Sequence, residues 1–131
     1  MVKEFNNLDE IQKYYDKKSN TYIFIEDDEM IDVVVFNFDL DVKANIDAKT
    51  INAFDIRACN IKACNIDACD IKAWNIEAWD INAWNIEAQD ISYYAVCFAY
   101  KNIKCKSIKG RRRNAQHFIL DGILEIGTMP N

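Results

Sequence analysis

Cys59, Cys64 and Cys69 recur at intervals of five residues, and Cys97, Cys105 and a lone histidine, His117, follow them. Thiolate and imidazole are the side chains that hold zinc, and a structural zinc needs four of them gathered at one point. The number suffices, so the placement decides. Asp and Glu are plentiful enough to suggest acid–base pairs, but the chain offers no phosphate-cradling glycine loop, with three Gly in all, and no Ser/His/Asp set. The expectation is a protein that is not an enzyme and takes no cofactor. The odd cysteine count, and the absence of a basic stretch leading into an apolar run over residues 1–7, point to five free thiols in a reducing, cytoplasmic setting. No apolar run approaches the roughly 18 residues of a membrane span, so no membrane partner is expected.

The elements that place these residues are short and repeated. From Ala44 the chain reads ANIDA, KTINA, FDIRA, CNIKA, CNIDA, CDIKA, WNIEA, WDINA, WNIEA, QDISY. Ile holds the third place in every unit, from Ile46 to Ile91. Ala holds the fifth from Ala48 to Ala88, and Asn or Asp precedes the Ile except at Thr50. A period of five fits neither an α-helix nor a plain strand. Ile-x-Ala is one step of strand alternation, which points Ile and Ala to the same side, and the next two residues suit a corner. A strand and a corner, repeated, wind into a coil.

The units CNIDA, CDIKA and WNIEA resemble the pentapeptide-repeat family, strongly over residues 44–98 and weakly to 110. That resemblance implies a mainly all-β chain, a right-handed quadrilateral parallel β-helix with four units per coil, in a bacterial protein. One slot departs from the family. The residue two before the Ile should be small and inward, yet here it is Ala44, Lys49, Phe54, Cys59, Cys64, Cys69, Trp74, Trp79, Trp84 and Gln89. A close-packed bore cannot take three successive Trp or a Lys. The bore is therefore expected to hold Ile and Ala, with the variable slot outward. The three regular cysteines then lie on successive faces and cannot share a metal, so no metal site is expected.

Four units per coil would stack each residue on the one twenty further on. Phe54, Trp74 and Tyr94 would form an aromatic column, Asn45, Asn65 and Asn85 an amide ladder, and Asp47, Asp67 and Glu87 an acidic column, with stacked isoleucines such as Ile51, Ile71 and Ile91 inside. Phe54, Trp74, Trp79, Trp84 and Tyr94 are the candidate partner-binding residues, because outward Trp and Tyr dominate interface hot spots. The same residues could instead brace the coil by stacking.

Residues 1–43 are expected to be a small α+β N-terminal cap. It would comprise a helix over residues 7–18 with Asn7 as N-cap, a strand over residues 21–25, and a longer strand over residues 30–42. The repeat domain covers residues 44–110. Residues 111–131 form a C-terminal cap or tail with a hairpin turning at Asp121-Gly122. All three belong to one folding unit. Charge is polarised: residues 1–43 hold eleven acids against five bases, and residues 99–131 seven bases against two acids. Lys104, Lys106, Lys109, Arg111, Arg112 and Arg113 form a basic patch, but without interleaved base-stacking aromatics nucleic acid is not the expected partner. Function is expected to be a protein-binding or scaffold module with an unidentified protein partner. A homodimer through the C-terminal segment is compatible with it. The alternative is a gyrase- or topoisomerase-binding protein that mimics DNA, which some family members are. Three coils spanning roughly 15 Å make a short mimic, so gyrase is not the favoured partner.

Overall fold

The computed structural model describes residues 1–127. It is a mainly β chain with one short helix, wound into a β-solenoid of about five turns. The chain opens with β1 (Val2–Phe5) and a short 3-10 helix, Leu8–Tyr14. Asn7 caps that helix as expected, its side chain accepting the Glu10 N–H at 3.2 Å. The helix is shorter than the expected span, because the chain turns at once into β2 (Tyr15–Asp16). There follow β3 (Thr21–Ile23), the small antiparallel pair β4 (Ile25–Glu26) and β5 (Glu29–Met30), β6 (Val33–Phe36) and β7 (Leu40–Asp41). The long strand expected over residues 30–42 is thus broken into three. Its alternation survives, with Val34, Phe36, Leu40 and Val42 buried, but the chain turns corners between them.

The repeat supplies β8 (Asn45–Asp47), β9 (Thr50–Ala53), β10 (Ile56–Arg57), β11 (Asn60–Lys62), β12 (Asn65–Asp67) and β13 (Asp70–Lys72). From Asn75 to Gly110 extended pairing continues through every corner as β14. Then come β15 (Gln116–Ile119) and β16 (Leu124–Ile126).

The register corrects the expected four-sided coil. Ile46 pairs with Ile61 and Ile61 with Ile76; Ile51 pairs with Ile66 and Ile66 with Ile81; Ile56 pairs with Ile71 and Ile71 with Ile86. Within the regular units each residue stacks on the one fifteen further on, so three units complete a coil and its section is three-sided. Packing accords with it: each side contributes one Ile and one Ala to the bore, and across the three sides these inward side chains are buried, Ala53 only in part.

The inward–outward assignment holds except at Ala44, the first residue of the variable slot, which is buried. Every Ile from Ile46 to Ile91 is buried, and so is every repeat Ala from Ala48 to Ala88 except the half-buried Ala53, while Trp74, Trp79 and Trp84 face outward. No polar or charged residue is buried among the described residues.

The expected cap over residues 1–43 is, from Thr21 on, a coil of the same stack. Tyr22 pairs with Ile46, Val34 with Ile51 and Leu40 with Ile56, all in parallel strands. At the base of this coil the bore is plugged by rings: Phe5 and Tyr14 meet the coil's own Phe24 and Phe36 at centroid distances from 5.2 to 6.1 Å. At the other end no hairpin forms. β15 pairs in parallel with Val96–Ala99 and β16 in parallel with Ile103–Cys105, so Asp121-Gly122 is a corner between two sides of a further coil.

Candidate functional site

The variable slot lies on the three edges of the solenoid, and backbone bonds fix what stacks there. On the first edge Cys59 donates its N–H to Ala44 O at 2.9 Å and Trp74 to Cys59 O at 2.7 Å. On the second, Cys64 donates to Lys49 O and Trp79 to Cys64 O, both at 2.8 Å. On the third, Cys69 donates to Phe54 O at 2.8 Å and Trp84 to Cys69 O at 2.6 Å. The three cysteines therefore sit on three edges of one coil, each half-buried, and the three tryptophans occupy the same edges one coil higher. No group of His, Cys, Asp or Glu placed to hold a metal occurs among the described residues.

This geometry dissolves two expected columns. Phe54, Trp74 and Tyr94 lie on three different edges. Phe54 shares its edge with Trp84, and Tyr94 stacks on Trp79 at 5.7 Å. Trp84 is covered by Tyr100 at 5.1 Å, with the Lys101 ammonium 5.8 Å from its ring. Exposure remains high at Trp74 (64%), Trp79 (59%) and Trp84 (51%). The aromatics thus form a girdle around the coil. The third edge carries three exposed aromatics, Phe54, Trp84 and Tyr100, with the half-buried Cys69 between the first two.

The acidic column is likewise absent. Asp47 pairs with Lys62, and Lys62 with Glu77. Asp67 lies between Asn52 and Asn82. Glu87 pairs with Lys72, whose ammonium is 3.9 Å away. Expected to stack acid on acid, these residues instead alternate with bases and amides, which removes the repulsion of like charges directly opposed. The amide ladder is re-registered too. Asn60 Nδ2 donates to Asn45 Oδ1 at 2.9 Å, and Asn60 and Asn75 continue it at 2.8 Å.

A second ladder has no counterpart among the columns expected from the sequence. Asp39 Oδ1 accepts the Asp55 N–H and Asp55 Oδ1 the Asp70 N–H, each at 3.2 Å; Asp70 Oδ1 accepts Asn85 Nδ2 at 2.8 Å, and Asn85 Oδ1 accepts the Asn102 N–H at 3.2 Å. The Asn/Asp slot thereby gains a physical reason: at several corners its short acceptor takes a backbone N–H of the coil above, whereas at Asn65, Asn75, Asp80, Asn85 and Asp90 that N–H bonds a backbone carbonyl. Beside the ladder runs an open groove of about 380 Å3, lined by its carboxylates together with Arg57, Lys72 and Glu87. With burial first and then Asp55, Asp70 and Asp39, these carboxylates push the Cys69 thiol up.

The basic patch is divided. Arg111 folds back on the coil, its guanidinium 3.5 Å from Glu77 and donating to Ala78 O at 3.1 Å. Lys104 faces Glu125 across the strand pair. Lys106, Lys109, Arg112 and Arg113 remain exposed. His117 is spent on Tyr93, whose hydroxyl lies 2.9 Å from its Nδ1.

Comparisons of the chain with protein-family models, with curated proteins and with solved structures gave no match. No helix of the described residues is long and apolar enough to cross a membrane.

Proposed function

We propose that this chain is a non-catalytic protein-binding or scaffold module that holds its partner along its aromatic edges, chiefly the strip of Phe54, Trp84 and Tyr100. The carrying observation is the outward placement of three Trp on one coil of a rigid solenoid whose core is complete without them. Trp and Tyr desolvate large areas at low entropic cost, which is why they anchor interfaces. Capture from lysate by the wild type, beside Trp84→Ala and a variant with all three Trp replaced, tests this. Specific partners should be lost progressively, with the fold retained. Unchanged capture by the triple variant would remove the proposal.

Kinship with pentapeptide-repeat proteins is part of the same proposal. Its support is the ten five-residue units, and right-handed winding goes with it, as in nearly all parallel crossovers. The three-sided coil and the Ala placed after the Ile set this chain apart from the family pattern. A cytoplasmic location accords with the five free thiols. The DNA-mimicking alternative draws on the Asp39–Asp55–Asp70 ladder alone, since Asp47 and Glu87 are interleaved with Lys62 and Lys72. Gyrase inhibition abolished by neutralising that ladder, and indifferent to the Trp changes, would favour it.

A further inference from the structure

A parallel solenoid must do something with its two end coils, because each exposes strand edges with unused N–H and C=O groups. At the start of the stack the outermost strand of one side is β1, bonded among the described residues only to β6. At the far end of the same side lies β15, bonded among the described residues only to Val96–Ala99 of β14. Val96 in turn donates its N–H to Asp80, which is paired with Asn65 of β12, on the β1–β6–β9–β12 path. The two free edges thus belong to one continuous side, and both run parallel to the stack.

Their surroundings are complementary. Around β1 the chain leaves Met1, Val2 and Leu8 exposed. Lys3 and Lys13 are both engaged by Glu26, and Lys49 and the N-terminal ammonium by Asp32, so among the described residues Glu4, Asp9, Asp27, Asp28 and Glu29 are exposed without a bonded cation. Lys17, Lys18 and Lys43 are exposed there too, but with eleven acids against five bases over residues 1–43 this end stays acidic. Around β15 and β16 the chain exposes Phe118, Leu120, Ile123 and Ile126, and the bases Lys101, Lys106, Lys109, Arg112 and Arg113 are exposed in the same last coils. An acidic, apolar-centred end and a basic, apolar-centred end sit at opposite poles of one molecule.

We propose that the occupant of each end is a second copy of this chain. Copies stack head to tail, with β1 of one extending the β15 side of the next as a further parallel strand. The charge pattern selects this arrangement over a two-fold dimer, which would set base against base or acid against acid. A heterologous contact of this kind does not close on itself, so it builds open stacks rather than a fixed dimer. The inference is independent of the aromatic edges, which remain on the outside of such a stack.

Sedimentation velocity over a concentration series tests it. The wild-type mass should climb through dimer and beyond. Raising the salt from about 0.1 M to about 1 M, which shortens the Debye length from about 10 Å to about 3 Å, should drive the stack back toward monomer. Two variants at exposed positions separate the ends. Val2→Lys with Glu4→Lys spoils the acidic end, and Leu120→Glu with Ile123→Glu spoils the basic one. Each should be monomeric alone, with an unchanged far-UV spectrum, and an equimolar mixture should associate because one intact end of each kind is present. A wild type that stays monomeric, or stops at dimer, overturns the proposal. So does either variant that still dimerises by itself, since that would mean like ends are meeting.

Discussion

Each cysteine of the repeat lies beneath a tryptophan, and that placement governs its chemistry. Cys59, Cys64 and Cys69 are half-buried at the edges, whereas Cys97 and Cys105 are fully buried in the bore. Burial pushes the Cys97 thiol up to about 12 and raises that of Cys105, and burial with nearby carboxylates raises Cys69. Because the thiolate is the nucleophile, native protein at mildly alkaline pH should be alkylated first at Cys59 and Cys64 and later at Cys69. Cys97 and Cys105 should react only on unfolding. Peptide mapping over a time course measures this, and native labelling of Cys97 as fast as Cys59 would contradict the buried placement. A second residue-scale expectation concerns Glu26, whose carboxyl is lowered to about 2 by hydrogen bonds from Lys3, Tyr14 and Lys13. A depressed carboxylate contributes stability above its unfolded value, near 4.3, and that share is lost as pH falls through about 2. The stability of Glu26→Gln should therefore lie below wild type at neutral pH and converge with it in strong acid. A constant gap from pH 7 to pH 2 would mean that the charge is not what matters. Inward Ile and Ala were legible from the sequence because their invariance contrasts with the freedom of the slot holding Lys49 and Trp79. The Glu26 cluster was not, since it joins residues far apart in the chain.

The five-residue unit could be read from the chain, but the number of units per coil came from a resemblance, and the chain itself held the correction. Its variable slot changes in blocks of three: Cys59, Cys64 and Cys69, then Trp74, Trp79 and Trp84. Charge says the same. At a spacing of twenty, Asp67 would lie under Glu87; at fifteen, Lys72 does. Like charges directly opposed destabilise a ladder, and opposite charges contribute roughly 0.2–1 kcal/mol. Glu87→Gln therefore distinguishes the registers by sign. In the three-sided coil it should lower stability by a few tenths of a kcal/mol, and that loss should vanish when Lys72→Met is already present. In a four-sided coil the same change would relieve repulsion and stabilise. Urea unfolding of the double-mutant cycle gives the answer. The C-terminal strands depart from the expected hairpin for a related reason: Asp121-Gly122 has hairpin chemistry, yet its flanks are claimed by parallel edges at Val96–Ala99 and Ile103–Cys105. A local turn preference of this kind yields to the strand pairing available on a growing stack.

At the scale of the molecule, stability should be uneven along the axis. In the middle, Ile76 has Ile61 beneath it and lies across the bore from two other sides, so Ile76→Ala should leave a cavity and cost about 2–5 kcal/mol. Ile46 would be an end position were residues 1–43 only a lid, but Tyr22 is stacked directly under it. Ile46→Ala should therefore cost as much as Ile76→Ala, and a clearly smaller cost would mean the first coil is looser than its register implies. The two ends differ from each other. The N-terminal end is stoppered by Phe5, Tyr14, Phe24 and Phe36, all buried, whereas the last coil leaves Phe118, Leu120, Ile123 and Ile126 exposed. Protection against hydrogen exchange follows buried contact, and opening begins where there is least of it. In dilute protein the amides of β15 and β16 should exchange first, those of β3 and β6 much later, and those of β11 to β13 last. Truncating the stopper with Phe24→Ala should cost about 3–5 kcal/mol and bring β3 and β6 down to the protection of β15. If β15 and β16 are instead as protected as β11 at every concentration, the open end is covered within the single chain. Protection there that rises with concentration while β11 stays constant would mean that another copy covers it.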